Sequence, residues 1–162
     1  MEAYYNLIAM LVAAFSALVI GSIWYHPKVF GNAWLKAAEL NDKQMKSGSM
    51  VKIFGLALLF AFMLSTALPG IVIHQVGALS LIGGDPTQAL ASYDAFIADY
   101  ATNFRTFKHG ALHGILTGIF VVLPVLGTNA LFERKGAKYI FINSGYWIVT
   151  LAIMGGIICA WK

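Results

Sequence analysis

Four long apolar stretches limit most strongly what this chain can fold into. They run approximately over residues 3–25, 53–79, 110–132 and 139–161. Each is long enough to cross a hydrocarbon core about 30 Å thick, which takes about 20 helical residues. Backbone polar groups must be paired within lipid, so such segments are expected to be helices. The sequence therefore predicts an all-α fold, an integral membrane four-helix bundle formed by residues 1–162 as a single domain.

The composition of the chain agrees with this class. Of its 162 residues, 59% are hydrophobic and 11% are charged, whereas a typical soluble domain is about 45–50% apolar and about 25% charged. The mean hydropathy is +0.75. The net charge is +4, but the basic residues are scattered between apolar stretches, which argues against a nucleic-acid partner. The partner that the composition predicts is the lipid bilayer.

The basic residues also predict an orientation, because Lys and Arg are enriched in cytoplasmic loops. The first loop carries five and the third loop three, and only three lie on the other face. We therefore expect the first and third loops to be cytoplasmic, with both termini and the middle loop outside. The first group is Lys28, Lys36, Lys43, Lys46, Lys52, Arg134, Lys135 and Lys138, and the second is Arg105, Lys108 and Lys162.

The first and second loops both show the pattern of an amphipathic helix at the membrane surface. In the second loop, Asp85 stands in an N-cap position, with Pro86 at the first helical position. Apolar residues then recur at spacings of three and four, and the first loop has a similar stripe. The two stripes are Leu90, Tyr93, Ile97, Tyr100 and Phe104 in the second loop, and Val29, Phe30, Ala33, Trp34 and Ala37 in the first.

Small residues predict how the spans pack. Helices in lipid associate through close contact at small residues, and Gly110, Gly114 and Gly118 form the most specific stripe of this kind. A tight bundle within one chain and a homodimer seam along the glycines both fit this stripe, and the first is favoured. Pro69 and Pro124 are expected to kink the second and third spans.

Histidines are the ionisable residues with the best case for a functional role inside the spans. His109 and His113 lie four residues apart at the outer end of the third span, so they share a helix face. The predicted topology brings His74 and Gln75, at the outer end of the second span, to the same level. An aspartate of the middle loop could cover the cluster. The candidate residues are His74, Gln75, His109, His113, Asp94 and Asp99.

This cluster has three interpretations. Histidines that only pack and form hydrogen bonds are favoured, and no cofactor is expected on that interpretation. A protonatable pair used in gating or proton transfer is the second. The third is a transition-metal site for zinc or copper, or a haem held between His74 and His113.

A second polar group is predicted at the cytoplasmic end. Asn129 and Asn143 each lie seven residues from Gly136, so a hairpin places them at one depth and a cross-helix amide pair is expected. Glu133 lies one turn beyond Asn129 and is expected to accept a hydrogen bond from it or from a cytoplasmic lysine. These three residues are interpreted as locking the hairpin.

An aromatic pattern follows the first span and consists of Trp24, Tyr25, Pro27, Phe30, Gly31 and Trp34. With this pattern and the stretches 129–134, 142–147 and 154–156, the chain resembles a family of small bacterial four-helix membrane proteins known only as a domain of unknown function. The resemblance implies a four-span bundle in the bacterial cytoplasmic (inner) membrane, and it implies no activity. Physically, the aromatic residues suit an anchor at the membrane interface.

The sequence is consistent with three functions. No enzyme signature is present, since phosphate-binding, nucleophile-elbow and zinc-type cysteine motifs are all missing from the sequence. The leading hypothesis is a small scaffold or accessory subunit, acting as a homodimer or in a larger membrane complex. The second is a transporter or channel component that uses the histidine cluster, and the third is a metal- or haem-binding membrane component.

Overall fold

The computed structural model describes residues 4–162, apart from the side chains of Asp42 and Lys46. Within that range the chain is helical and contains no strand. The helices long and apolar enough to cross a membrane span 7–24, 50–72, 107–132 and 137–160. The protein is thus a multi-pass membrane protein, and the predicted fold class is confirmed. The predicted start of the first span, Ala3, lies outside the described residues.

The first half of the chain contains two spans joined by short helices. The first span is α1 (Leu7–Trp24), followed by a π-helical turn (Pro27–Gly31), α2 (Asn32–Ala38) and α3 (Asp42–Lys46). The second span consists of α4 (Met50–Ala67) and α5 (Pro69–Val72), and α6 (His74–Leu81) follows it.

The second half begins with the middle loop, which contains a 3₁₀ turn (Pro86–Gln88) and α7 (Ala91–Tyr100). The third span is built from α8 (Phe107–Thr117), a π-helical turn (Gly118–Val122) and α9 (Leu123–Phe132). The fourth span is the single helix α10 (Ala137–Ala160).

The second span, predicted over 53–79 with a kink at Pro69, ends at Val72 and is followed by a separate helix. Ile73 has an extended backbone, with φ −117° and ψ 103°, and the helix restarts at His74. Pro69 has no N–H to donate to the preceding turn, which weakens the helix just before this break. The break makes α6 a separate helix whose first residue is His74.

The third span accommodates Pro124 through a wider turn. The N–H of Leu123 bonds the carbonyl of Gly118, five residues earlier, and so closes the π-helical turn. Such turns are a common site of helix bends. Because Pro124 lies in the first turn of α9, where proline is tolerated, the span continues to Phe132.

The middle-loop helix begins later than predicted. Asp85 does cap a helical turn, accepting a hydrogen bond from the Thr87 N–H at 3.0 Å, and the Thr87 hydrogen bonds lower the pKa of Asp85. That turn ends at Gln88, and α7 starts only at Ala91 because Ala89 and Leu90 are extended. The capped turn is therefore separate from the amphipathic helix.

The glycine stripe of α8 lies against α10. A Cβ atom added at Gly110 would overlap the carbonyl of Gly155, and one added at Gly114 would overlap the carbonyl of Leu151. At Gly118 it would lie 2.7 Å from the backbone of Ile148. The two helix backbones therefore touch, and the glycine face is covered within the chain.

We expect Gly114→Ala to destabilise the protein, because its methyl group would force α8 away from α10. Overpacking of this kind costs about 1–3 kcal/mol. The measurement is the free energy of unfolding by SDS in mixed micelles, followed by tryptophan fluorescence.

Gly55→Ala is the matched control, since nothing lies within 4 Å of a Cβ added there and alanine favours a helix interior by about 0.5–1 kcal/mol over glycine. Equal stability of the two variants would contradict the packing role of Gly114.

Candidate functional site

Three histidines from two helices meet at one end of the bundle. His74 begins α6, directly after the extended residue Ile73. His109 and His113 lie one turn apart on α8, whose start is fixed by the Thr106 hydroxyl accepting a hydrogen bond from the His109 N–H at 3.2 Å. The helix start therefore sets the depth of both α8 histidines.

The three imidazole rings are in contact. The Nε2 atoms of His74 and His109 lie 2.9 Å apart, and the ring centroids of His109 and His113 are separated by 4.5 Å. One nitrogen of each ring lies within 4.8 Å of the others. His74 is exposed, whereas His109 and His113 are partly buried. We call these residues the histidine trio.

The trio has the donor set of a transition-metal site. A neutral imidazole offers one nitrogen lone pair, and it is a frequent ligand of zinc and copper. Three protein ligands with a fourth position left to an external molecule are typical of reactive zinc sites. Haem fits less well, because the rings of His74 and His113 are only 5.1 Å apart and that of His109 lies against both.

The other predicted members of the cluster do not join the trio. Gln75 is buried and donates through Nε2 to the carbonyls of Tyr100 (2.7 Å) and Asn103 (2.9 Å). It therefore ties the end of α7 to α6, while its Oε1 has no hydrogen-bond partner. Asp94 and Asp99 are exposed on α7, and no carboxylate of the described residues completes the trio.

Phe104 is a site residue that the sequence did not single out as one. Its backbone is left-handed, with φ 62°, a strained conformation for a bulky residue. Its ring centroid lies 5.8 Å from that of His74 and 5.0 Å from that of His109. In the sequence, Phe104 is simply the last member of the middle-loop stripe, and nothing there signals the backbone conformation.

Arg105 holds this segment from the other side. Its side chain is buried and donates to the carbonyls of Cys159 and Trp161, and its guanidinium lies 5.6 Å from the ring centre of Tyr4. A cation that bonds the last carbonyls of a helix is a favourable cap. In the sequence, Arg105 is only one of the basic residues that predict the orientation of the loops. In the structure, it joins the middle loop to the end of α10.

At the opposite end, the aromatic pattern docks on α10. The indole N–H of Trp24 donates to the Ile142 carbonyl (3.0 Å), and the Tyr25 hydroxyl donates to Oδ1 of Asn143 (3.0 Å). A Cβ atom added at Gly31 would overlap the carbonyl of Tyr25. The turn after α1 therefore requires glycine there, and it closes tightly enough to place both aromatic residues on α10.

The rest of the pattern supports these two aromatic residues. Pro27 opens the π-helical turn. The ring of Phe30 lies 4.5 Å from that of Trp24, and the ring of Trp34 lies 5.3 Å from that of Tyr25. The six residues thus form one cluster at the end of the first span, beside α10.

The expected amide pair between Asn129 and Asn143 is replaced by a different contact. Asn143 accepts from Tyr25 and donates to the Tyr139 carbonyl at 2.8 Å. No hydrogen bond joins the side chains of Asn129 and Asn143, both of which the structure describes. Since α1 and α10 pack together, the tyrosine hydroxyl reaches Asn143.

Glu133 is likewise not the acceptor that locks the hairpin. It is exposed, and Lys135 bonds instead to Glu39 (2.8 Å) and to the Ala38 carbonyl (3.1 Å). The hydrogen bond from Lys135 lowers the pKa of Glu39. This contact joins the first loop to the third, so the two loops lie at the same end of the bundle.

A family model described as a protein of unknown function (DUF1761) matches residues 8–159. The chain belongs to the DUF1761 family. The resemblance to a domain of unknown function is thereby confirmed, and the matched range includes both the histidine trio and the aromatic cluster of this DUF1761 protein. Searches of curated proteins and of solved structures found no match to the chain.

We expect the Tyr25–Asn143 hydrogen bond to stabilise this DUF1761 bundle. A double-mutant cycle of Tyr25→Phe and Asn143→Ala, measured by SDS unfolding, should give a coupling energy of about 0.6 kcal/mol, the average for hydrogen bonds between membrane helices.

Tyr5→Phe is the control, because Tyr5 is exposed, and its coupling to Asn143→Ala should be zero. A coupling of zero for Tyr25 as well would show that the bond does not contribute.

Proposed function

We propose that this protein is a membrane component that binds a transition-metal ion, zinc or copper, through the histidine trio. The observation that carries the proposal is the convergence of three imidazole nitrogens within 4.8 Å of one another, from α6 and α8. The proposal favours the third of the three functions considered from the sequence. The scaffold and transport roles stay predictions.

The surroundings of the trio favour a metal over simple hydrogen bonding. Two neutral imidazoles can share one N–H, as the 2.9 Å contact of His74 and His109 allows. The ring of His113 lies against both and brings a third imidazole nitrogen to the same point. A metal ion would accept all three lone pairs. Because His74 is exposed, an ion could enter from outside the bundle.

We propose the same orientation that the basic residues predict, in the bacterial inner membrane. The contact between Lys135 and Glu39 supports it, since it gathers the basic first and third loops at one end. The trio lies at the other end, with the middle loop. The proposed metal site would then face the extracytoplasmic side.

Metal binding is tested on the purified protein in detergent, stripped with a chelator and titrated with Zn²⁺ against a chromophoric competitor. We expect one ion per chain. His113→Ala should weaken binding by at least about 100-fold, because loss of a ligand costs more than loss of the groups that orient it, which is about 10–100-fold.

His26→Ala is the matched control, since His26 is an exposed histidine just beyond α1, at the opposite end of the bundle. Equal affinity of the His113→Ala and His26→Ala proteins would overturn the proposal.

The affinity should also depend on pH. Imidazole binds metal only when neutral, and its ordinary pKa is about 6.5. Protons therefore compete with the ion, and the Zn²⁺ affinity should fall when the same titration is repeated at pH 5.5 instead of 7.5. An affinity independent of pH would point away from histidine ligands.

The orientation is tested by labelling single cysteines in intact cells with a membrane-impermeant maleimide. Ser92→Cys, on the exposed surface of α7, should react directly. Ser47→Cys, in the first loop, should react only after the membrane is permeabilised. Cys159 is buried, so the parent protein serves as the unlabelled control, and the opposite pattern would invert the topology.

A further inference from the structure

A cavity of about 370 Å³ lies beside the histidine trio. It is lined by His74, Gln75, Phe96, Tyr100, Asn103 and Phe104, and we call it the aromatic cavity. Its volume falls within the range of about 300–1,000 Å³ that small-molecule sites occupy. We propose that the aromatic cavity binds a phenolic ring, that of a membrane-soluble phenol or hydroquinone, with its hydroxyl oxygen next to the metal ion. The inference rests on the proposed function.

The walls of the cavity favour a flat apolar ring. Three of its six lining residues are aromatic, and the rings of Phe96 and Tyr100 lie 5.0 Å apart. Aromatic rings bind one another in offset or edge-to-face arrangements. The cavity is at the end of the spans, where a molecule dissolved in the bilayer can present a polar head.

The polar part of the wall favours a ligand that carries a hydrogen-bond donor. Gln75 is 4% exposed and lines the cavity, and its Oε1 has no donor. Buried acceptors without partners are rare and costly in folded proteins. A hydroxyl group would supply the missing donor, whereas an ether or a hydrocarbon would not. This difference selects a phenol over its methyl ether.

The cavity and the metal site share residues. His74 belongs to both, and the ring of Phe104 lines the cavity while it contacts the rings of His74 and His109. Three protein ligands leave a coordination position for an external atom. A phenolic oxygen in the cavity is a suitable atom for that position.

The strained backbone of Phe104 supports a ligand site whose wall is held in place by the fold. A residue with φ 62° keeps this conformation only when its neighbours impose it. The neighbours here are Cys159, whose thiol donates to the Phe104 carbonyl at 3.3 Å, and the buried side chain of Arg105. Together they hold the Phe104 ring against the histidines.

The test uses the full chain in nanodiscs, loaded with Co²⁺ as a spectroscopic substitute for zinc. We add 4-hexylphenol, or its methyl ether 4-hexylanisole as the matched ligand without a donor, and record the visible absorption of the cobalt. We expect a saturable shift with the phenol and none with the ether. Phe104→Ala should raise the apparent Kd for the phenol about tenfold. If the Phe104→Ala protein does not fold, Phe96→Ala, an exposed residue of α7, serves in its place and should raise the Kd by the same factor.

Phe132→Ala removes an equally large ring that is 85% exposed at the other end of the third span, and it should leave the phenol affinity unchanged. Cobalt that binds but whose spectrum does not respond to the phenol, or responds equally to the ether, would overturn this inference and leave the proposed function standing. A protein that binds no cobalt or zinc would overturn both.

Discussion

The direct contact between the backbones of α8 and α10 is the constraint on which the rest of the structure depends. Helices gain little hydrophobic free energy by associating in lipid, so close van der Waals contact must hold them together. Gly110 and Gly114 provide that contact because no side chain separates the helices. It fixes the rotation of α8, since only its glycine face fits against α10.

This rotation also sets the direction of the histidines. His109 and His113 each precede a glycine of the stripe by one residue, which is about 100° around a helix. They therefore point away from α10 and toward the start of α6. The break at Ile73 brings His74 to meet them. The preceding helix α5 stays packed against α10, where the Cys159 sulfur lies 3.2 Å from the Val72 carbonyl oxygen.

At the other end, two segments far apart in the sequence form one interface. Trp24 and Tyr25 bond to Ile142 and Asn143, each 118 residues away. A Cβ atom added at Gly145 would lie 2.9 Å from the ring of Trp24, so the aromatic residue fits only over a glycine. The first span and the last are thus held together at this end of the bundle by residues that lie in separate motifs of the sequence.

The sequence by itself determined the fold class, the number of spans and the level of the histidines, because hydropathy and helical spacing are local properties that the bilayer enforces. It could not give the partners of polar side chains. Asn143 bonds Tyr25 instead of Asn129, and Lys135 bonds Glu39 instead of Glu133. Those choices depend on how each helix is rotated and how deep it lies, and only the packing of the whole bundle decides both. The strain at Phe104 and the contact within the trio have the same origin.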